Sequence, residues 1–406
     1  MKNLIRKLFR PTIGAIYDQL LQSGCNFIAL LVLASLLPIE DFAAFALAFA
    51  LWQVLQGLQR SLVVLPFIVG QPSGQGKEHP CQWAYLNLVF VMAMLASLLL
   101  ALALVESVGI LPWLQKPLEL SLFAVPGLGV YEFARRLMYQ LGRYVDASIM
   151  STILAIFYLG GIASSHVFAP SSLYVALGIA AGALLAASYG HWRVRHDLRT
   201  PSLSAFRVWR SRVDQIAWHL LSYIAHASYT SALPLVVGFF ARPEVVAAFS
   251  VTRALVTPAL TASTAIDSID KPRASRAYAT NGYAGLKASI AQTRRTLWIL
   301  TVPFVLFISI FSQDILHLLY GDKFAGTSLT VIGWALFIVL TVTNQPEETR
   351  LIITQRSQTL FVSKLLSSIV ALGLAPALIP PYGTLGAVTA AVSAIGINLA
   401  LNLAKR

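Results

Sequence analysis

The chain has 406 residues, 57% hydrophobic and only 12% charged, and its 30 Lys and Arg outnumber 17 Asp and Glu for a net charge of +13. A soluble protein of this length keeps roughly a quarter of its residues charged, so a water-soluble globular domain is excluded. The cationic excess fits the loop bias of a multi-spanning membrane protein better than a nucleic-acid surface.

The basic start MKNLIRKLFR has the charge of a signal peptide. The apolar stretch after it is long, polar at its beginning and without a small-residue cleavage site, so it reads as a retained first helix. Apolar runs long enough to cross a bilayer recur to the end of the chain. The spacing predicts twelve spans, near 12–37, 42–67, 81–105, 118–139, 145–168, 172–191, 215–240, 244–267, 297–320, 327–345, 357–379 and 382–404. The expected organisation is all-α and polytopic. A short segment (1–11) leads into an N-lobe of six helices (12–191), a basic linker (192–214) and a C-lobe of six helices (215–404).

Charge orients these spans. Only Lys116, Arg242 and Lys323 fall in the loops opposite the termini, and Arg60, Arg253 and Lys364 lie within spans. The other Lys and Arg lie in or beside loops on the terminal side, concentrated in 191–212 and 271–295. Both termini are therefore expected in the cytoplasm. The loops are too short for a separate catalytic domain. Cys25 and Cys81 form neither a disulfide framework nor a metal-ligand pattern.

EDFAAFALAFAL (40–51) resembles EVVAAFSVTRAL (244–255), and each follows a short Pro-containing hinge to open the second helix of a six-helix set. This predicts two parallel halves related by an axis along the membrane normal, an arrangement that places a substrate site between them.

Charged side chains inside the bilayer need a partner, a hydrated cavity or a role. In the first span Asp18, Gln22 and Asn26 share one helix face, as do Gln53, Gln56 and Arg60 in the second. Folding the two spans into a hairpin about residue 39 matches these positions in depth. It predicts a polar ladder ending in an Asp18–Arg60 pair, either a clamp or the lining of a cavity in which Asp18 binds a proton or cation. Arg253 lies about 13 Å into the eighth span, with no acid at matched depth in the seventh. It is the candidate to bind an anion in a central cavity. The seventh span carries His219, Ser222, Tyr223, His226, Tyr229 and Ser231, hydroxyl and imidazole groups suited to sugar hydroxyls or to structural bonds. His219 matches Asp267 in depth and could form a gate with it. Glu132, Arg135 and Arg136 read as a surface ion-pair cluster, and GIAAG (178–182) as a close helix-packing face. Phosphate-loop, GxSxG, HExxH and Cys/His ligand motifs are lacking, so ATP hydrolysis and a metal or other cofactor are not expected.

The segment from Asp18 to Val69, with Asp18, Gln19, Ser23, Asn26, Phe27, Phe42, Phe45 and Leu58–Gln59–Arg60, resembles the opening of the polysaccharide and O-antigen (Wzx-type) flippases. These form a branch of the multidrug/oligosaccharidyl-lipid/polysaccharide exporter (MOP) superfamily. VVAAFSVTRALVTP (245–258) with Arg253, 319–337 and 379–396 resemble later segments of the family. Leu37–Pro38–Ile39 departs from the family's usual Gly-Pro hinge.

The resemblance implies a two-lobed, MATE-like transporter in a bacterial inner membrane. It would flip an undecaprenyl-pyrophosphate-linked oligosaccharide by alternating access, among membrane lipids and beside polysaccharide polymerase or export machinery. On this reading Arg253 and Arg60 meet the pyrophosphate. Asn26, Gln22, Gln53, Gln56, Ser222, Tyr223, His226 and Tyr229 face the glycan, and Asp18, His219 and Asp267 serve ion coupling or gating. A cation-coupled multidrug antiporter of the same fold would want deep acids rather than a deep Arg. A membrane glycan polymerase or ligase would want a large catalytic loop, and an assembly scaffold is the remaining alternative. Lipid II flippases share the fold but carry two further helices.

Overall fold

A computed structural model describes residues 11–69, 80–109, 111–195, 204–211 and 213–404. The basic decapeptide at the N-terminus and part of the expected linker lie outside the described residues. Where described, the chain is helical, as it must be if its apolar runs lie in lipid, which offers no partner for open backbone groups.

In the first half, α1 spans Pro11–Leu36. Helix α2 opens as Ile39–Gln59, passes through a π turn at Arg60–Val64 and closes at Leu65–Val69. Then follow α3 (Pro80–Val108), α4 (Gln115–Gln140), α5 (Tyr144–Val167), α6 (Ser172–Val194) and the short α7 (Ser204–Arg210). The second half begins with α8 (Val213–Ser228) and α9 (Leu233–Phe240), bent by 52° into what reads as one broken span. A helical run Pro243–Ile310 turns at Asn281 and Gly282, giving α10 (243–280) and α11 (283–310). Helices α12 (Ser312–Tyr320) and α13 (Ser328–Ile353) come next. The run Ser357–Ala404 breaks at Gly383 into α14 (357–382) and α15 (384–404). Gly282 and Gly383 take φ of +58° and +53°, which side chains with a Cβ rarely adopt.

By length and composition eight described helices could cross a membrane, or nine with the α8–α9 pair. Two of the eight are the double runs just divided. Helix α4 is kept out of that group by its charges (Lys116, Glu119, Glu132, Arg135 and Arg136) but has the length of a span. The described residues thus hold the twelve spans expected.

Contacts divide the chain into two units, 1–223 and 224–406. In the first, α1 packs chiefly against α5, α2 against α4, and α4 also against α3 and α6. Buried Phe45 and Trp52 meet edge to face at 5.9 Å, and Trp52 Nε1 donates to Ser121 Oγ of α4 at 3.1 Å. Close packing at 178–182 is borne out. A Cβ on Gly178 would come within 2.5 Å of the Phe157 carbonyl, and one on Gly182 within 2.8 Å of Phe157 Cβ. In the second unit the 243–310 run packs on α13, which in turn packs on the 357–404 run. Ala274 and Leu286, on opposite arms of the turn at 281–282, share a small core with Ile290 and Ile353.

Candidate functional site

Helix α4 is tied at both ends by charge. At its start Lys116 pairs with Asp41 of α2, whose carboxylate also accepts from Ser172 N and Ser172 Oγ, both at 2.8 Å, at the N-terminus of α6. A carboxylate there meets the positive end of the helix dipole. Three helix starts are fastened by one buried acid.

At its other end lies a network of five charges. Arg135 Nη1 donates to Asp18 of α1, and Arg135 Nη2 donates to Glu132 Oε2 at 2.6 Å. Asp18 also accepts from Ser151 of α5 and from Tyr139 Oη at 2.6 Å. Glu132 Oε1 accepts from two further arginines, Arg60 Nε at 3.1 Å and Arg136 Nε at 3.0 Å. Asp18, Glu132 and Arg135 are only 2–3% exposed. A buried charge persists when paired and hydrogen-bonded, and each of these three has at least two partners.

This arrangement corrects two expectations. Asp18 does not pair with Arg60, since α1 lies against α5 and the depth-matched hairpin of α1 with α2 is not the main packing. Gln22 accordingly donates to Tyr131 Oη of α4 at 3.0 Å rather than facing Gln56. Glu132 and Arg135 are not part of a surface cluster but the buried centre joining α1, α2, α4 and α5, with Arg136 half-buried at its edge. The amide of Gln59, wholly buried, reaches Asn87 and the Gly129 carbonyl, both at 2.6 Å. Asn26, Gln53 and Gln56 are half-buried, with no side-chain hydrogen bond among the described residues.

Tyr223 does not present its hydroxyl for a ligand. It donates toward the carbonyls of Gln53 (3.2 Å) and Val54 (3.0 Å) and fills a notch at Gly57, where a Cβ would lie 2.0 Å from its Cζ. Ser222 is half-buried and His219 exposed. Asp267, in the second unit, pairs with Lys271 one turn along and accepts from Thr349 Oγ1 at 3.5 Å.

The second unit repeats the clamp. Helix α13 is the fourth span of its half, counting α8–α9 as one and leaving out the short α12, as α4 is of the first, and carries Glu347 and Arg350 at the spacing of Glu132 and Arg135. Arg350 Nε donates to Glu347 Oε2 at 2.9 Å, Arg294 of α11 donates to Oε1, and Arg350 Nη2 reaches the Asn402 carbonyl at 3.0 Å. This Glu-x-x-Arg repeat is not seen by extending the match of 40–51 with 244–255, because Glu132 and Glu347 are 215 residues apart and not 204.

Above that clamp a cavity of about 320 Å³ is lined by His226, Tyr229, Ser231, Arg253, Ser263, Asp267, Trp334, Asn344, Gln345 and Glu348, among others. Arg253, projecting from α10, sits over the Trp334 ring at 5.7 Å and has no carboxylate partner among the described residues. Both acids of the lining are engaged, Asp267 by Lys271 and Glu348 by Lys364 at 3.2 Å. The surplus charge facing this space is one guanidinium. Around it His226 Nδ1 meets Tyr229 Oη at 3.2 Å, and Asn398 donates to the same hydroxyl at 3.0 Å. Arg253 thus lines this cavity beside His226, Tyr229 and Ser231, without a carboxylate partner among the described residues. Such a site can hold an oxyanion with a forked donor and offer amides and hydroxyls to neighbouring polar groups.

No family model and no curated protein matches the chain. Among solved structures it is similar to the lipid II flippase MurJ in an inward closed conformation, at TM-score 0.74 and 12% identity over 97% of this chain and 86% of that one. It is also similar to an inward-facing multidrug resistance MATE family transporter of the MOP superfamily (TM-score 0.70, 15% identity, 95% and 92% covered). A MOP superfamily transporter from Pyrococcus furiosus matches at TM-score 0.65 and 14% identity, over 97% and 92% of the two chains. At such identities the likeness establishes the fold, the all-helical architecture of the MOP superfamily, as the resemblance implied.

Proposed function

We propose that this protein is a flippase for a lipid-linked oligosaccharide, carrying an undecaprenyl-diphosphate glycan from the cytoplasmic to the periplasmic leaflet of a bacterial inner membrane by alternating access. The observation that carries the reading is Arg253. It is a guanidinium without a carboxylate partner among the described residues, on the wall of a cavity whose two carboxylates are already neutralised by lysines. A diphosphate is the anion such a donor suits, and the surrounding hydroxyls and amides suit a sugar. One of the similar structures is a flippase of lipid II, itself a lipid-linked molecule by name. The loop charges favour cytoplasmic termini, on the side where the lipid-linked glycan would be built. Asp18, held by Arg135, Tyr139 and Ser151, is a structural anchor in this reading and not the coupling site.

Reconstitution tests the proposal. Proteoliposomes containing the chain should move a fluorescent undecaprenyl-diphosphate oligosaccharide between leaflets and leave a cationic dye unmoved. Dye export without glycan movement would make the protein a drug antiporter instead.

A further inference from the structure

The two Glu-x-x-Arg clamps differ in their surroundings: among the described residues the second has no counterpart of Asp18, and none of Arg136. Arg136 follows Arg135 in α4, whereas the residue after Arg350 in α13 is Leu351, wholly buried. The second clamp is complete without a cation there, so holding helices together does not require Arg136. The first clamp has three arginines, Arg60, Arg135 and Arg136, on two carboxylates, Asp18 and Glu132, and the second has Arg294 and Arg350 on Glu347, so each is left with one positive charge in excess; in the first it falls on the Arg60–Arg136 pair.

That excess has a shape. Arg60 and Arg136 both donate through Nε to the same oxygen, Glu132 Oε1, so their Nε atoms lie within about 6 Å of each other. Their terminal Nη groups make no hydrogen bond among the described residues. The Arg60 side chain is 50% exposed and that of Arg136 is 31% exposed, against 3% for Arg135. Two like charges converging on one oxygen repel each other, and a second anion between their free ends would relieve the repulsion. Arg60 also begins the π turn of α2, a local widening of the helix that recurs at functional sites.

We infer that Arg60 and Arg136, hung from Glu132, form a two-arginine fork that binds a phosphate oxyanion near the end of α4, separate from the Arg253 cavity. The inference rests on the flippase reading for its natural ligand, the diphosphate of a lipid-linked glycan. The headgroup phosphate of an anionic lipid has the same chemistry.

The test is binding of farnesyl diphosphate to the full chain in nanodiscs, by calorimetry, with each variant's melting temperature measured alongside. Arg136→Gln should weaken binding by about tenfold or more, the loss expected for charge-assisted hydrogen bonds, with melting near that of the parent. Arg60→Lys and Arg136→Lys keep the ion pair with Glu132 but lose the fork, and each should weaken binding as well. Unchanged affinity in Arg136→Gln and both Lys variants, with Arg253→Gln alone abolishing binding, would overturn the fork and leave the flippase reading standing. No binding by the parent chain would overturn both. Repeating the titration in phosphatidylglycerol discs separates the two sources of phosphate. Competition that disappears in Arg136→Gln identifies a lipid headgroup in the fork, and undiminished binding identifies the diphosphate.

Discussion

Arg135 and Asp18, 117 residues apart in the chain, form a buried ion pair that joins α4 to α1. Both side chains are almost fully buried, and each carries a second set of polar partners, Glu132 for the arginine and Ser151 with Tyr139 for the aspartate. This pair makes the first four-helix assembly one packed body, and several outcomes follow from it.

Removing one member of a buried pair strands the other, at a cost of about 3–5 kcal/mol. Asp18→Ala should therefore lower the melting temperature of the detergent-purified protein sharply, with Asp18→Asn intermediate because its single carbonyl oxygen still accepts from Tyr139 while its NH2 faces Ser151 as a donor. Arg60→Ala should cost much less, since Arg60 is half exposed and Glu132 keeps two other arginines. If Asp18 and Arg60 proved equally sensitive, the pairing described here would be wrong.

The repeated clamp predicts matched behaviour in the two halves. Glu132→Ala and Glu347→Ala each leave a buried arginine, Arg135 or Arg350, without its helix-mate. Both should destabilise by a similar amount, about 3 kcal/mol or more. Limited proteolysis should find the first variant loosened in residues 1–223 and the second in 224–406. Loosening in both halves of either variant would contradict the division into two units.

Much of the architecture was legible from hydropathy. The twelve spans are present, α4 as 115–140 against an expected 118–139, because runs of apolar residues have one solution in lipid. Partners inside the lobes were not legible by depth matching. That argument assumes that consecutive helices are neighbours, and in the first lobe α1 turns instead to α5, α2 to α4. Glu132, Arg135 and Arg136 looked like a surface group because they sit near a helix end and close to basic loops. Only the tertiary arrangement buries Glu132 and Arg135. Arg253 stood out in the sequence because no acid of the seventh span matched its depth, and among the described residues no carboxylate pairs with it.

Gly57 gives a packing prediction. A methyl group at this position would overlap the Tyr223 ring, and overpacking of this kind costs about 1–3 kcal/mol. Gly57→Ala should destabilise the protein, and adding Tyr223→Ala should recover part of the loss in a double-mutant cycle, read by thermal melting. Strict additivity would show that the ring does not occupy the notch.

The central claim is that Arg253 supplies the cation for a diphosphate inside the membrane. The measurement that tests it most directly is the initial rate of glycan translocation in proteoliposomes by Arg253→Gln and Arg253→Lys, at matched insertion and melting temperature. The account predicts a loss of at least about tenfold for Arg253→Gln, and a partial loss for Arg253→Lys, which keeps the charge without the fork. Parental rates in Arg253→Gln would contradict it.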